Sequence, residues 1–77
     1  MWFKIVLTEK SCTPEIYVVG TDSKESAQDF ADELVRSELA CGVPQSYLSC
    51  TLTQIGEGKG LAANDPQITE ADYVYYL

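Results

Sequence analysis

Carboxylates and thiols are the groups of this chain that could do chemistry. Twelve Asp and Glu and three cysteines stand beside five Lys and Arg, and there is no histidine. Two carboxylates do acid–base work only where a concave site drives their pKa values apart. Six of the acids (Asp22, Glu25, Asp29, Asp32, Glu33 and Glu38) fall within residues 21–42. The pattern there is one amphipathic helix, which places them mainly on a convex, solvated face where nothing tunes them. With no histidine, the commonest general base at neutral pH is also missing. The acids do not follow a calcium-loop pattern. The expectation is a non-enzymatic protein without cofactor or metal.

The other chemical candidates are weaker. Cys12, Cys41 and Cys50 include no CxxC pair, and an odd count leaves one thiol over in any disulfide scheme. Cys12, in a turn with Lys10, is the one candidate for a reactive thiol; Cys41 and Cys50 read as core positions. Gly56-Glu57-Gly58-Lys59-Gly60 has the glycine density of a phosphate loop. It lacks Ser or Thr after the lysine, and Glu57 would repel phosphate. It reads as a plain loop.

Seventy-seven residues, 45% of them hydrophobic, make a single domain spanning 1–77 with a small core. A net charge of −7 argues against direct binding of nucleic acid or anionic membrane, since phosphates need cations. It favours a basic partner, or serves solubility alone. The N-terminal apolar run is interrupted by Lys4, too short for a secretory leader. No stretch approaches the roughly 20 apolar residues of a membrane span. Free thiols fit a reducing compartment, so the cytoplasm is expected.

The elements that position these groups follow from hydrophobic period. Residues 2–9 alternate as a strand, with Phe3, Ile5 and Leu7 on the core face. Residues 10–14 are a turn, and 15–20 a second strand that pairs antiparallel with the first. A helix opens at Asp22 or Ser23, where Glu25 suits a capping box. Ala27, Phe30, Ala31, Leu34 and Val35 form its buried stripe, and Gly42 with Pro44 ends it. Extending the stripe brings Glu38 to the buried side, which is tolerable at a sheet edge; Leu39 and Cys41 look packable. Residues 45–55 read as a third strand with Leu48, Cys50 and Leu52 inward. Residues 61–67 are irregular, ended by Asp65-Pro66, and 73–77 are most simply a fourth strand. The fold expected is α+β in two layers, β-β-α-β-β, with an antiparallel sheet of about four strands under one helix.

Two surfaces remain. Glu25, Asp29 and Glu33 repeat every four residues, about 6 Å apart along the helix, with Asp32 beside them and Arg36 placed to pair with Asp32. Like charges at this spacing weaken an isolated helix, which points to an electrostatic use such as steering toward a basic protein. They fall short of the charge density of a DNA backbone, one per ~1.7 Å of axis. The second surface is aromatic. Trp2, Val6, Tyr47 and Thr51 face away from the helix, joined by part of the Tyr73, Tyr75, Tyr76 group. That face is either a dimer or partner surface, or is covered by residues 61–67.

In size, acidity, element order and lack of catalytic motifs the chain resembles the small phage proteins that disable host defences, the anti-CRISPR class in particular. The resemblance covers the hairpin, the helix and the last two strands, and rests on no diagnostic motif. It implies stoichiometric inhibition of a large, basic, nucleic-acid-handling complex in the host cytoplasm. Glu25, Asp29, Asp32 and Glu33 would make the charged contacts, and Trp2, Tyr47 and Tyr75 the apolar ones where exposed. The alternative is a homodimerising module of a larger phage or bacterial assembly.

Overall fold

The computed structural model describes residues 1–56 and 65–77. The Glu57-to-Gly60 part of the glycine loop, and residues 61–64 of the irregular segment, lie outside them. Strand β1 (Trp2–Glu9) turns into β2 (Glu15–Gly20), and helix α1 (Lys24–Ala40) follows. A 3₁₀ turn (Gln45–Tyr47) leads into β3 (Leu48–Gly56); a single helical turn, α2 (Pro66–Thr69), precedes β4 (Tyr73–Tyr76).

The sheet order is β3-β1-β2-β4. This is the expected α+β arrangement with one main helix. Strand β1 is central and carries apolar residues on both faces, Phe3, Ile5 and Leu7 under the helix and Trp2 and Val6 on the other. Phe3 and Ile5 are wholly buried and Leu7 nearly so, each contributing about 1.5–3 kcal/mol by burial. The register sets Ile5 opposite Tyr17 on β2 and opposite Leu52 on β3, so these residues share the face under the helix. Strands β2 and β3 both run antiparallel to β1.

The sheet is mixed, because β4 joins β2 in parallel, Tyr17 beside Tyr73 and Val19 beside Tyr75. A hairpin back from β3 would have placed β4 antiparallel on the other edge. Aromatic contacts decide the matter: Tyr73 and Tyr75 stack on Tyr17, and Tyr76 meets Trp2 edge-on. The ends are tied together, with Met1 and Thr21 exchanging backbone hydrogen bonds and the Leu77 N–H donating to the Gly20 carbonyl at 2.8 Å.

Helix α1 is capped by Ser23, whose hydroxyl oxygen accepts from the Ser26 N–H at 3.2 Å. Ala27 and Ala31 are its most buried residues, and their small side chains let the helix lie close on the sheet. Gly42, at φ +95°, takes the left-handed turn that ends it. The helix runs on past Ser37, and Glu38 is half-buried.

Several local readings change. Leu39 and Cys41 are exposed rather than packed: Leu39 is about 100° round from the sheet-facing Glu38, and Cys41 is already the C-cap. Residues 45–47 wind into a 3₁₀ turn instead of starting β3. Asp65-Pro66 opens a helical turn instead of ending one: the Asp65 carboxylate caps the Gln67 N–H at 2.8 Å, and proline suits the first helical position.

Candidate functional site: an aromatic ledge beside an acidic helix

Helix α1 covers β1, β3 and part of β2, and stops short of β4. Phe30, on its β4 side, touches Tyr17 at 6.1 Å and Tyr75 at 5.3 Å between ring centres. Beyond Phe30, alternate residues of β4 carry rings onto the uncovered strip of the helix-side face. Tyr73 stacks on Tyr17 at 4.8 Å with 20° between planes; Tyr75 lies 6.4 Å from both, at 18° and 19°. Tyr17 is buried, while Tyr73 and Tyr75 are 45% and 42% exposed. The result is a ledge of nearly parallel rings, anchored at its back by a buried tyrosine and open at its front.

A carboxylate sits at the start of the ledge. The Tyr17 hydroxyl donates to Glu15 Oε2 at 2.6 Å. Burial, then this hydrogen bond and the charge of Glu15, push the Tyr17 phenol well above its ordinary value, with the neighbouring tyrosines adding to the effect. Tyr17 is therefore a fixed, neutral donor.

At about 100° per residue, Asp32, Glu25, Asp29 and Glu33 fall in that order within one arc of about 100° on the outer face of the helix. Glu33 is at the Phe30 end of that arc and Asp32 at the end toward β3. Burial first, and the charge of Asp32 second, raise the Cys50 thiol's pKa. Arg36 pairs with Glu33 rather than with Asp32; Asp32 instead accepts from Gln28 Nε2 at 3.0 Å. Three residues apart suits the long arginine as well as four does. The pair is exposed at both ends and contributes at most about 1 kcal/mol.

The apolar candidates also separate. Trp2 is 8% exposed, and so is no surface anchor: its indole lies over Gly20 and against Tyr76. Val18 on the same face is fully buried. The face away from the helix is thus not the bare aromatic sheet expected from alternation. Tyr47 is exposed, but its ring already carries Lys10 Nζ at 5.1 Å and its carbonyl accepts from the Lys10 N–H. Tyr75 is exposed on the ledge, and Tyr73, Tyr17 and Phe30 are packed with it. The i, i+2 spacing of Tyr73 and Tyr75 was the available signal.

No known protein family, characterised protein or solved structure matches this chain.

One small pocket lies at the other end of the helix, between Leu7, Glu9, Cys12, Thr13, Glu15, Glu38 and Leu48, with about 20 Å³ of space. That holds about one water molecule. Among the described residues no group of three His, Cys, Asp or Glu is placed to hold a metal ion, and no helix is long and apolar enough to cross a membrane.

Proposed function

We propose that this protein acts by stoichiometric, non-enzymatic binding to a basic protein. The observation that carries this reading is the exposed Tyr73–Tyr75 ledge, with Glu15 bonded to the tyrosine behind it, in a chain of net charge −7. Aromatic faces next to carboxylates are good receptors for Lys and, above all, Arg, which stack on rings and pair with acids. Tyrosines also supply large contact areas at low entropic cost, which is why they concentrate where binding energy is concentrated. Glu25 and Asp29 steer the partner in, and Tyr73 and Tyr75 hold it.

The narrower identification of that partner is a nucleic-acid-handling complex that the protein inhibits, in a host cytoplasm, as anti-CRISPR proteins do. It is supported by the likeness in size, acidity and element order.

The test is affinity capture from a lysate of the expressing cell, followed by mass spectrometry. It is run with the wild type, with Asp29→Lys/Glu33→Lys and with Tyr73→Ala/Tyr75→Ala. The expected result is a basic protein retained by the wild type, released by salt, and lost from both variants. A partner held equally by all three overturns the reading.

A further inference from the structure

We infer that the basic partner presents an extended segment, with Lys or Arg at alternate positions, which adds to the free edge of β4 as a fifth strand. This rests on the basic-partner reading and specifies how that partner is held.

Three observations carry it. First, β4 is an edge strand, paired through β2 on one side only among the described residues. Its outward N–H and C=O groups are a template for another strand. Second, β4 is short but lacks charged and proline protection. Tyr73, Val74, Tyr75 and Tyr76 include no charge and no proline, and they are 42–72% exposed. The opposite edge, β3, is also uncharged, but it presents Ser49, Thr51 and Thr53 on its outer face and half-buried side chains on the other. Of the two edges, only β4 offers aromatic or aliphatic side chains on both faces. Third, the two faces at β4 differ in charge. On the helix side an added strand meets the Tyr73–Tyr75 rings, Glu15 and the flank bearing Glu33. On the other side it meets Val74 and Tyr76.

Side chains of a strand alternate between faces. A segment with cations at every second position therefore sets them over the ledge and lays its apolar residues on Val74 and Tyr76. Backbone pairing supplies the attachment and the alternation supplies the selectivity. A second copy of this chain fits less well. Two chains of −7 would meet edge to edge with their Glu33 flanks together.

The experiment uses short synthetic peptides and residue-resolved amide hydrogen exchange on the intact protein. One peptide alternates lysine and valine, a second alternates glutamate and valine, and a third is the lysine–valine peptide interrupted by proline. Saturating lysine–valine peptide is expected to slow exchange in β4 by about tenfold, with no effect from the other two. Tyr75→Lys, which puts a like charge into the edge, is expected to abolish the protection while the β1 amides stay protected. Equal binding of the proline-interrupted peptide without β4 protection overturns strand addition and leaves the basic-partner reading standing. Binding of neither lysine peptide overturns both. Equal protection by the glutamate peptide overturns the charge requirement, and protection at β3 overturns the choice of edge. Concentration-dependent β4 protection without peptide, with a dimer in light scattering, assigns the edge to a second copy instead.

Discussion

Asp72 clasps Ile16 twice: its backbone N–H donates to the Ile16 carbonyl at 2.9 Å, and its carboxylate accepts from the Ile16 N–H at 2.8 Å. This is the first contact between β2 and β4, and it sets the register that puts Tyr73 beside Tyr17. The side-chain half of the clasp is exposed, so Asp72→Ala should cost only about 0.5–1.5 kcal/mol. The effect should be local. Exchange at Val74 and Tyr75 amides should speed up while that at Ile5 and Leu52 does not. Asp72→Asn should restore most of the protection, since its amide oxygen still accepts from the Ile16 N–H. Equal loosening of all four strands would show that the clasp holds the whole sheet.

Gly20 has a second role at the far end of the same strand pair. A Cβ there would lie 2.9 Å from two atoms of the Trp2 indole and 2.9 Å from a ring carbon of Tyr76. The indole is buried and rigid and has nowhere to go. Gly20→Ala should therefore destabilise the fold by about 1–3 kcal/mol, the usual range for overpacking. Denaturant unfolding measures it. In a Trp2→Phe background the same change should cost less, because the smaller ring vacates the site. Strict additivity of the two substitutions would show that the indole is not the obstacle.

These contacts explain what the sequence made legible. The β1 alternation of Phe3, Ile5 and Leu7, the Ser23 cap and the Ala27–Ala31 stripe are local signals, and local periodicity fixes which face each element buries. The side of the sheet that β4 joins is not local. It depends on Tyr17, Phe30 and Trp2 making ring contacts with Tyr73, Tyr75 and Tyr76 that are remote in sequence. Nothing in the spacing of 73–77 chooses β2 over β3. Trp2 illustrates the same gap: alternation puts it opposite the helix, but the absence of a side chain at Gly20 is what lets it bury. Among the acids, helical period alone puts Glu25, Asp29, Asp32 and Glu33 on one outer arc, whereas the pairing of Arg36 with Glu33 and of Gln28 with Asp32 depends on side-chain choices that spacing leaves open.

Tyr17 should make the fold sensitive to alkali. Unfolded, its phenol ionises near 10.0; folded, burial and the Glu15 contact hold the proton to higher pH. The folded pKa is raised, so the stabilisation is complete below about pH 10. It falls as pH rises further, by up to about 1.4 kcal/mol per unit. Tyr17→Phe removes that dependence. The prediction is that Tyr17→Phe is less stable than the wild type by no more than about 1.5–3 kcal/mol at neutral pH, the range for a hydrogen bond to a charged group, while the wild type loses stability faster above pH 10. Phenolate absorbance followed alongside circular dichroism checks it. If Tyr17 ionises with no loss of secondary structure, the hydroxyl is not sealed in.

Charge reversal on the helix separates steering from general acidity. Glu33 is at the Phe30 end of the acidic arc, whereas Asp32 is at the end toward β3 and already accepts from Gln28. Asp29→Lys/Glu33→Lys alters the net charge by four, from −7 to −3. Glu25→Lys/Asp32→Lys makes the same net change at the other end of the acidic arc. Glu33→Lys also breaks the Arg36 pair and leaves like charges three residues apart; that should cost less than about 1 kcal/mol, so both variants stay folded. For a basic partner held at the ledge, the first variant should lose more than tenfold in affinity, above about 1.4 kcal/mol, with a flatter dependence on salt. The second should lose only the part of the association rate that long-range attraction provides. Titration calorimetry and stopped-flow measurements on the captured partner distinguish the two. Equal losses would mean that the acidic helix attracts partners by net charge alone, with no contact at the Tyr73–Tyr75 ledge.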